Sequence, residues 1–77
     1  LGRAAGEVAV IGLGASGRAA AQLLRRGGVA VYASDAGHAD RVRETAALLR
    51  DVGADVDTGT HDLARIARAR SWVPVST

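Results

Sequence analysis

The sequence predicts an α/β protein with a Rossmann-like, parallel sheet and flanking helices. Three observations support this fold class. A short apolar run, Glu7 to Ile11, leads directly into a glycine-rich loop. An amphipathic segment follows the loop, as in the strand–loop–helix units that bind nucleotides. Beyond it, short apolar runs alternate with further helical patterns, which is typical of a parallel sheet with crossover helices.

The first strand and helix are the clearest elements. The run from Glu7 to Ile11 is bounded by glycine and mostly apolar, which is typical of a strand buried on both faces of a parallel sheet. From Arg18 to Arg26 the spacing predicts a helix that ends at Gly27-Gly28. We expect its buried face to carry Ala19, Ala20, Leu23 and Leu24, and its exposed face Arg18, Gln22 and Arg25.

Two more strand and helix signals follow. Residues 29–33 are rich in β-formers and predict a second strand that ends at Ser34 and Asp35. Asp40 is the predicted N-cap of a second helix, which Gly53 closes. Its inward positions are Val42, Ala46 and Leu49. Residues 54–58 predict a third strand near a sheet edge, because their acidic residues alternate outward.

The last part of the chain predicts a short helix and a strand. Thr60 or Asp62 starts a third helix. We expect Leu63, Ile66 and Ala67 to be buried and Arg65 and Arg68 to face solvent. Residues 72–75 begin a fourth strand, in which Pro74 argues against a central position because proline cannot donate to the ladder.

Length and composition limit the function. The 77 residues allow one small domain, fewer than a nucleotide-binding sheet needs to cover both faces, so we expect a truncated domain. The net charge is only +2 and the arginines are spread over the helices, so no nucleic-acid interface is expected. The absence of cysteine excludes disulfides and cysteine metal sites. No apolar run approaches a membrane span and residues 1–6 lack a signal peptide, which predicts a cytoplasmic protein without a membrane partner.

The glycine-rich loop is the main candidate binding site. Its residues are Gly12, Leu13, Gly14, Ala15, Ser16 and Gly17, a G-x-G-x-x-G pattern. Gly12 is expected to allow the tight turn, Gly14 the approach of a ligand, and Gly17 the close packing of helix and strand. The free N–H groups at the helix start then favour anionic oxygen. The alternative is that the glycines only permit a tight connection. Ser16 is either an N-cap, a phosphate contact or both.

Asp35 is the second candidate. It stands 23 positions after Gly12, at a strand end, where a Rossmann domain places the acid that accepts from a ribose hydroxyl or a base N–H. The alternative is an ordinary turn-forming aspartate. His38 and His61 are isolated and are interpreted as solvated side chains, His61 within a helix-start cluster. No catalytic or metal-binding constellation is found, so this segment is expected to bind and not to catalyse.

Read in order, these segments resemble the N-terminal domain of the Mur ligases, which build bacterial cell-wall peptides. The resemblance covers residues 7–69 and rests on the loop of residues 8–17, on Tyr32-Ala33-Ser34-Asp35, on residues 48–56 and on Thr58-Gly59-Thr60-His61. The G-L-G-x-S-G form of the loop is similar to the D-glutamate-adding member. Two departures are present: Ala36-Gly37 follows Asp35 where the family often has polar residues, and residues 71–77 lack the expected S-P-G.

The resemblance implies a function for the domain. Residues 1–77 would form the N-terminal, UDP-binding part of an ATP-dependent ligase whose central and C-terminal domains lie outside this chain. The loop from Gly12 to Gly17 would meet the diphosphate of UDP-N-acetylmuramoyl-L-alanine, with Ala15 and Ser16 at its tip. Asp35 would face the uracil, assisted by the backbone or by His38. ATP, Mg²⁺ and D-glutamate would bind to the other domains, so this segment needs no cofactor of its own.

Two other functions stay open at this point. In a nicotinamide-binding domain of a dehydrogenase or redox regulator, Gly12, Gly14, Gly17 and Asp35 would meet the pyrophosphate and the adenosine ribose. A non-enzymatic alternative is a folded segment without a ligand. A G-T-x-G-K-[ST] loop in the following residues of a longer protein would favour the ligase over the dehydrogenase. The sequence makes no prediction about oligomeric state.

Overall fold

A computed structural model describes residues 6–74 as a four-stranded parallel sheet with three helices. The elements in chain order are β1 (Val8–Ile11), α1 (Ala15–Arg26), β2 (Val31–Asp35), α2 (Asp40–Asp51), β3 (Asp55–Thr58), α3 (Leu63–Arg68) and β4 (Ser71–Pro74). The predicted Rossmann-like fold class is confirmed. The start segment, residues 1–5, and the predicted strand end at Val75 lie outside the described residues.

The strand order is β3-β2-β1-β4, so the chain reverses direction across the sheet after β3. The connections from β1 to β2 and from β2 to β3 both step in the same direction across the sheet. Because such connections are right-handed, α1 and α2 lie on the same face of the sheet. The return to β4 places α3 on the opposite face. The predicted edge position of β3 is confirmed, and β4 forms the other edge beside β1. In such sheets ligands bind outside the carboxyl ends of the strands, near the reversal.

The face under α1 and α2 holds the hydrophobic core. Its buried residues are Val10, Leu13, Ala21, Val31, Ala33, Val42, Ala46, Leu49, Ala54 and Val56. The predicted inward positions of α2 are therefore confirmed. The predicted N-cap is wrong, because α2 begins at Asp40 itself and Ala39 is the N-cap. Asp40 instead pairs with Arg43 on the helix surface.

The predicted buried face of α1 is wrong at Ala19 and Leu23, which are exposed, while Ala20 and Leu24 are half-buried and Leu24 packs against the core. The helix starts at Ala15, three residues earlier than expected, and its buried residues are Gly17 and Ala21. Leu23 is 68% exposed. The buried face differs because Gly17 lies very close to the end of β1. Residues 21 and 24 follow it at helical spacing, so the side of α1 that carries residues 17, 21 and 24 faces the sheet.

The opposite face of the sheet is polar around Tyr32. The ring is buried, and its hydroxyl donates to the Asp57 carboxylate at 2.7 Å and accepts from the Asp62 N–H at 3.0 Å. Burial, and then the hydrogen bond to Asp57, raise the pKa of the Tyr32 hydroxyl. The buried Tyr32 hydroxyl thus both donates and accepts a hydrogen bond, as a buried polar group requires.

Arg65 covers the Tyr32 ring, with its guanidinium carbon 4.6 Å from the ring centroid. It also pairs with Glu7 before β1 and with Asp55 on β3. The hydrogen bonds to Glu7 and then to Asp55 raise the pKa of Arg65. The prediction that Arg65 faces solvent is therefore wrong, because its planar cation can stack on an aromatic ring while pairing with two carboxylates.

The prediction of a buried apolar side for α3 is also wrong. Asp62 caps this helix, accepting from the Arg65 N–H at 3.0 Å, but none of its residues is fully buried. Leu63 is 73% exposed and Ala67 is exposed, whereas Ile66 is half-buried. The side chain of α3 that covers the Tyr32 ring is thus Arg65.

Replacing Gly17 tests the packing of α1 on β1. A Cβ at Gly17 would lie 1.9 Å from the Gly12 carbonyl oxygen, so Gly17→Ala must push the helix away from the sheet. We expect the free energy of unfolding, measured by urea denaturation, to fall by about 3 kcal/mol. Gly27→Ala is the matched control, because its Cβ would meet nothing closer than 3.5 Å. An unchanged Gly17→Ala midpoint would contradict this packing.

Candidate functional site

The glycine loop joins β1 to α1 at the carboxyl edge of the sheet. Gly12 has φ +109°, which side chains rarely tolerate, so the tight turn needs glycine there. Its N–H donates to the Ser34 carbonyl at 2.7 Å, which keeps the loop tied to β2. The contact of Gly17 with the Gly12 carbonyl then sets the start of α1 directly over the strand end.

The first turn of α1 has no side-chain cap. The N-cap is Gly14, so the interpretation of Ser16 as an N-cap is wrong; Ser16 is the second helical residue and is exposed. The amides of Ala15, Ser16 and Gly17 have no partner inside the helix, because the first intrahelical bond of this type runs from the Arg18 N–H to the Gly14 carbonyl. Together with the helix dipole they can bind an anionic oxygen.

The Asp35 carboxylate bridges two backbone segments. It accepts from the Leu13 N–H in the glycine loop at 2.8 Å and from the Gly37 N–H in its own turn at 2.7 Å. The turn-forming role expected of an aspartate here is therefore present. Two carboxylate oxygens have about four acceptor positions, so capacity for a ligand hydroxyl or N–H is left. The contact of Asp35 with a nucleotide stays a prediction.

The electrostatics of this carboxylate affect the whole loop. The hydrogen bond from Leu13, and then that from Gly37, hold the pKa of Asp35 below its ordinary value, although burial acts the other way. The charges of His61 and Arg41 lower it further. Asp35 is thus ionised at neutral pH. Its negative charge lies beside the turn that should attract an anion, so a phosphate there needs compensating cations.

Neighbouring loops fix the position of Asp35. The Gly59 N–H donates to the Asp35 carbonyl at 2.7 Å, and the His38 ring lies against Gly59. His61 Nδ1 is 2.6 Å from the Oγ of fully buried Ser34, so His61 is not a solvated side chain as predicted. The signal that could have indicated this pair is Ser34 itself, because a hydroxyl in a buried strand requires a partner.

A crevice of about 430 Å³ opens between α1 and α2, which we call the α1–α2 crevice. Leu13, Gly14 and Ala15 form its end at the glycine loop, and Arg18 and Arg41 line its sides. The sequence did not identify these two arginines as site residues. Arg18 directly follows the third glycine, which is the one local signal that could have suggested it. The structure thus brings the predicted loop and Asp35 together and adds two cations.

Among residues 6–74 no three His, Cys, Asp or Glu side chains form a metal-binding group, and no helix there is long and apolar enough to span a membrane. Comparisons with protein families, with curated proteins and with solved structures found no match to this chain.

Asp35→Asn tests the bridge between β2 and the glycine loop. We expect the variant to lose about 2 kcal/mol of unfolding free energy at pH 7, since hydrogen bonds to a charged group are the stronger kind. Because the folded-state pKa is lowered, the wild-type advantage is present above the ordinary value of 3.8 and disappears as pH falls through the lowered one. Urea denaturation at pH 7 and at acidic pH measures this difference.

The control is Asp51→Asn, which removes the same charge from an exposed residue with no side-chain hydrogen bond inside the described range. We expect it to change the unfolding free energy by less than about 0.5 kcal/mol. If Asp35→Asn lost the same amount of unfolding free energy at pH 7 and at acidic pH, the charge of the carboxylate would not be what stabilises the loop.

Proposed function

We propose that this chain is the UDP-binding part of an ATP-dependent, amide-forming ligase that adds D-glutamate to UDP-N-acetylmuramoyl-L-alanine in the cytoplasm. The observation that carries the proposal is the first turn of α1, which lacks a side-chain cap and starts at the carboxyl edge beside the ionised Asp35. The series of motifs that resembles the Mur ligases supports the choice of nucleotide.

In this proposal the diphosphate accepts from the amides of Ala15, Ser16 and Gly17. Gly14, without a side chain, leaves the backbone accessible to it. The free acceptor positions of Asp35 receive the N–H of uracil, with the Gly37 backbone and His38 close to the same strand end. Backbone amides favour the anion over neutral ligands, and the carboxylate favours a base that presents a donor.

The chain's part in the reaction is to position the substrate. In the complete ligase the muramoyl-alanine carboxylate accepts a phosphoryl group from ATP, and the D-glutamate amine then displaces phosphate to form the amide. Binding energy gained at the remote nucleotide holds that carboxylate in place for both steps. The resemblance to the Mur ligases assigns ATP and Mg²⁺ to domains outside this chain.

A nicotinamide-binding domain is the second candidate. The strand order β3-β2-β1-β4 and the acid at the end of β2 favour it, since both are features of dinucleotide-binding domains. Gly12, Gly14, Gly17 and Asp35 would then meet the pyrophosphate and a ribose. The two candidates differ in the base and sugar they require, and the identity of the tighter ligand separates them.

Calorimetry on the complete reading frame tests the proposal directly. We expect UDP-N-acetylmuramoyl-L-alanine to bind at least about tenfold more tightly than NAD, because the proposed function matches Asp35 to the N–H of uracil, whereas NAD would present a ribose hydroxyl there. Tighter binding of NAD would favour the dehydrogenase. If neither binds and the melting temperature shifts with neither, the segment has no nucleotide ligand of these classes.

A substitution at the first turn of α1 separates binding from folding. Ala15→Asp places a carboxylate where the diphosphate should lie, and we expect UDP binding to weaken by more than about tenfold through charge repulsion. A negative charge at the N-terminus of a helix interacts favourably with the helix dipole, so Ala15→Asp should raise the free energy of unfolding by about 0.5 kcal/mol. Ala47→Asp, on an exposed part of α2, is the matched control for the added charge. Unchanged UDP affinity in Ala15→Asp would exclude this turn as the diphosphate site.

A further inference from the structure

The arginines of the described chain fall into two groups. In the first, the guanidinium has a partner in the protein: Arg25 donates to the Val29 and Val52 carbonyls, Arg50 to the Val56 carbonyl, Arg43 to Asp40, and Arg65 to Glu7 and Asp55. Arg25, Arg50 and Arg65 thereby link separate elements of the fold, whereas the pair of Arg43 with Asp40 lies on the surface of α2. The second group makes no such hydrogen bond or ion pair among residues 6–74 and consists of Arg18, Arg26, Arg41, Arg68 and Arg70. Of these five, Arg18 and Arg41 line the α1–α2 crevice.

The two arginines reach the crevice from different helices. Arg18 is the fourth residue of α1 and Arg41 is the second residue of α2. In a helix the Cα–Cβ bonds tilt toward the N-terminus, and both helices begin at the carboxyl edge of the sheet, so the side chains of both arginines start out toward that edge. Arg41 is also close enough for its charge to act on Asp35, which bonds the loop amide of Leu13. Both cations therefore belong to the surroundings of the glycine loop.

Two like charges beside one crevice repel each other unless an anion lies between them. The acid that shares the crevice, Glu44, lies one turn further along α2 than Arg41 and forms no ion pair with either arginine in the described residues. The end of the crevice nearest the loop is therefore the cationic end. A guanidinium is well suited to phosphate, because its fork of N–H groups matches two phosphate oxygens.

We propose that Arg18 and Arg41 form a clamp for a phosphate group of the bound nucleotide at the loop end of the α1–α2 crevice. The inference rests on the proposed nucleotide-binding function and adds the side chains that offset the negative charge of Asp35. The clamp binds a phosphate oxyanion. In a UDP-sugar this is the diphosphate, and in a nicotinamide cofactor it is the pyrophosphate that would meet the same loop.

The test is a series of amide NMR titrations of the whole chain with UDP, uridine, NADP and NAD. Arg18→Gln and Arg41→Gln should each raise the dissociation constant for UDP by about tenfold, as expected for the loss of a charge-assisted contact. Uridine, which has no phosphate, should bind all variants alike. Glu44→Gln removes a repulsive charge and should tighten UDP binding by about threefold. Arg26→Gln, in the last turn of α1, is the matched control and should change nothing.

Each outcome has a separate meaning. If wild type binds UDP and the two arginine variants bind it equally well, the clamp is wrong and the proposed function survives. If wild type binds NAD or NADP but not UDP, and the two arginine variants weaken the binding of that cofactor, the clamp stands while the ligase function fails. If none of UDP, NAD and NADP shifts any amide of a folded wild-type chain, both are wrong. The dispersion of the same amide spectra reports whether each variant is folded.

Discussion

The first turn of α1 packs directly against the Gly12 carbonyl group. A Cβ at position 17 would lie 1.9 Å from the Gly12 carbonyl oxygen, so only glycine fits there. This contact determines which stripe of α1 meets the sheet and where the first-turn amides point. It also sets the loop so that the Leu13 N–H can reach Asp35 on the next strand. The helix, the loop and the end of β2 are therefore one unit, and the α1–α2 crevice exists because α1 is held there.

Asp35 has two effects that oppose each other in a binding site. As an acceptor for the Leu13 and Gly37 amides it fixes the shapes of two loops. As an ionised carboxylate it places negative charge next to the amides that an oxyanion would use. Arg18 and Arg41 line the crevice from two helices, and the proposed clamp uses their positive charge to offset that of the carboxylate. The glycine pattern alone is therefore an incomplete account of how this site handles an anion.

The parts of the fold that local pattern determines were predictable from the sequence. The four parallel strands, the inward residues of α2 and the adjacency of the glycine loop to Asp35 follow from hydrophobic spacing and from the motif. The buried side of α1 could not be predicted, because it depends on a backbone contact between residues 12 and 17. Nor could the role of Arg65, whose partner Glu7 is 58 positions away. Arg18 and Arg41 belong to different helices, so only the packing of α1 and α2 reveals that they share a crevice.

The chain has one tyrosine and one tryptophan, and the sheet places them in the same row. Tyr32 on β2 and Trp72 on β4 both pair with Ala9 on β1, so their backbones are two strand spacings, roughly 10 Å, apart. Tyr32 is buried, whereas Trp72 is 56% exposed. Fluorescence energy transfer from the Tyr32 phenol to the Trp72 indole therefore reports whether β4 is still paired with the rest of the sheet. Its loss before the far-ultraviolet signal changes would show that the outer strand detaches while the helices are still intact.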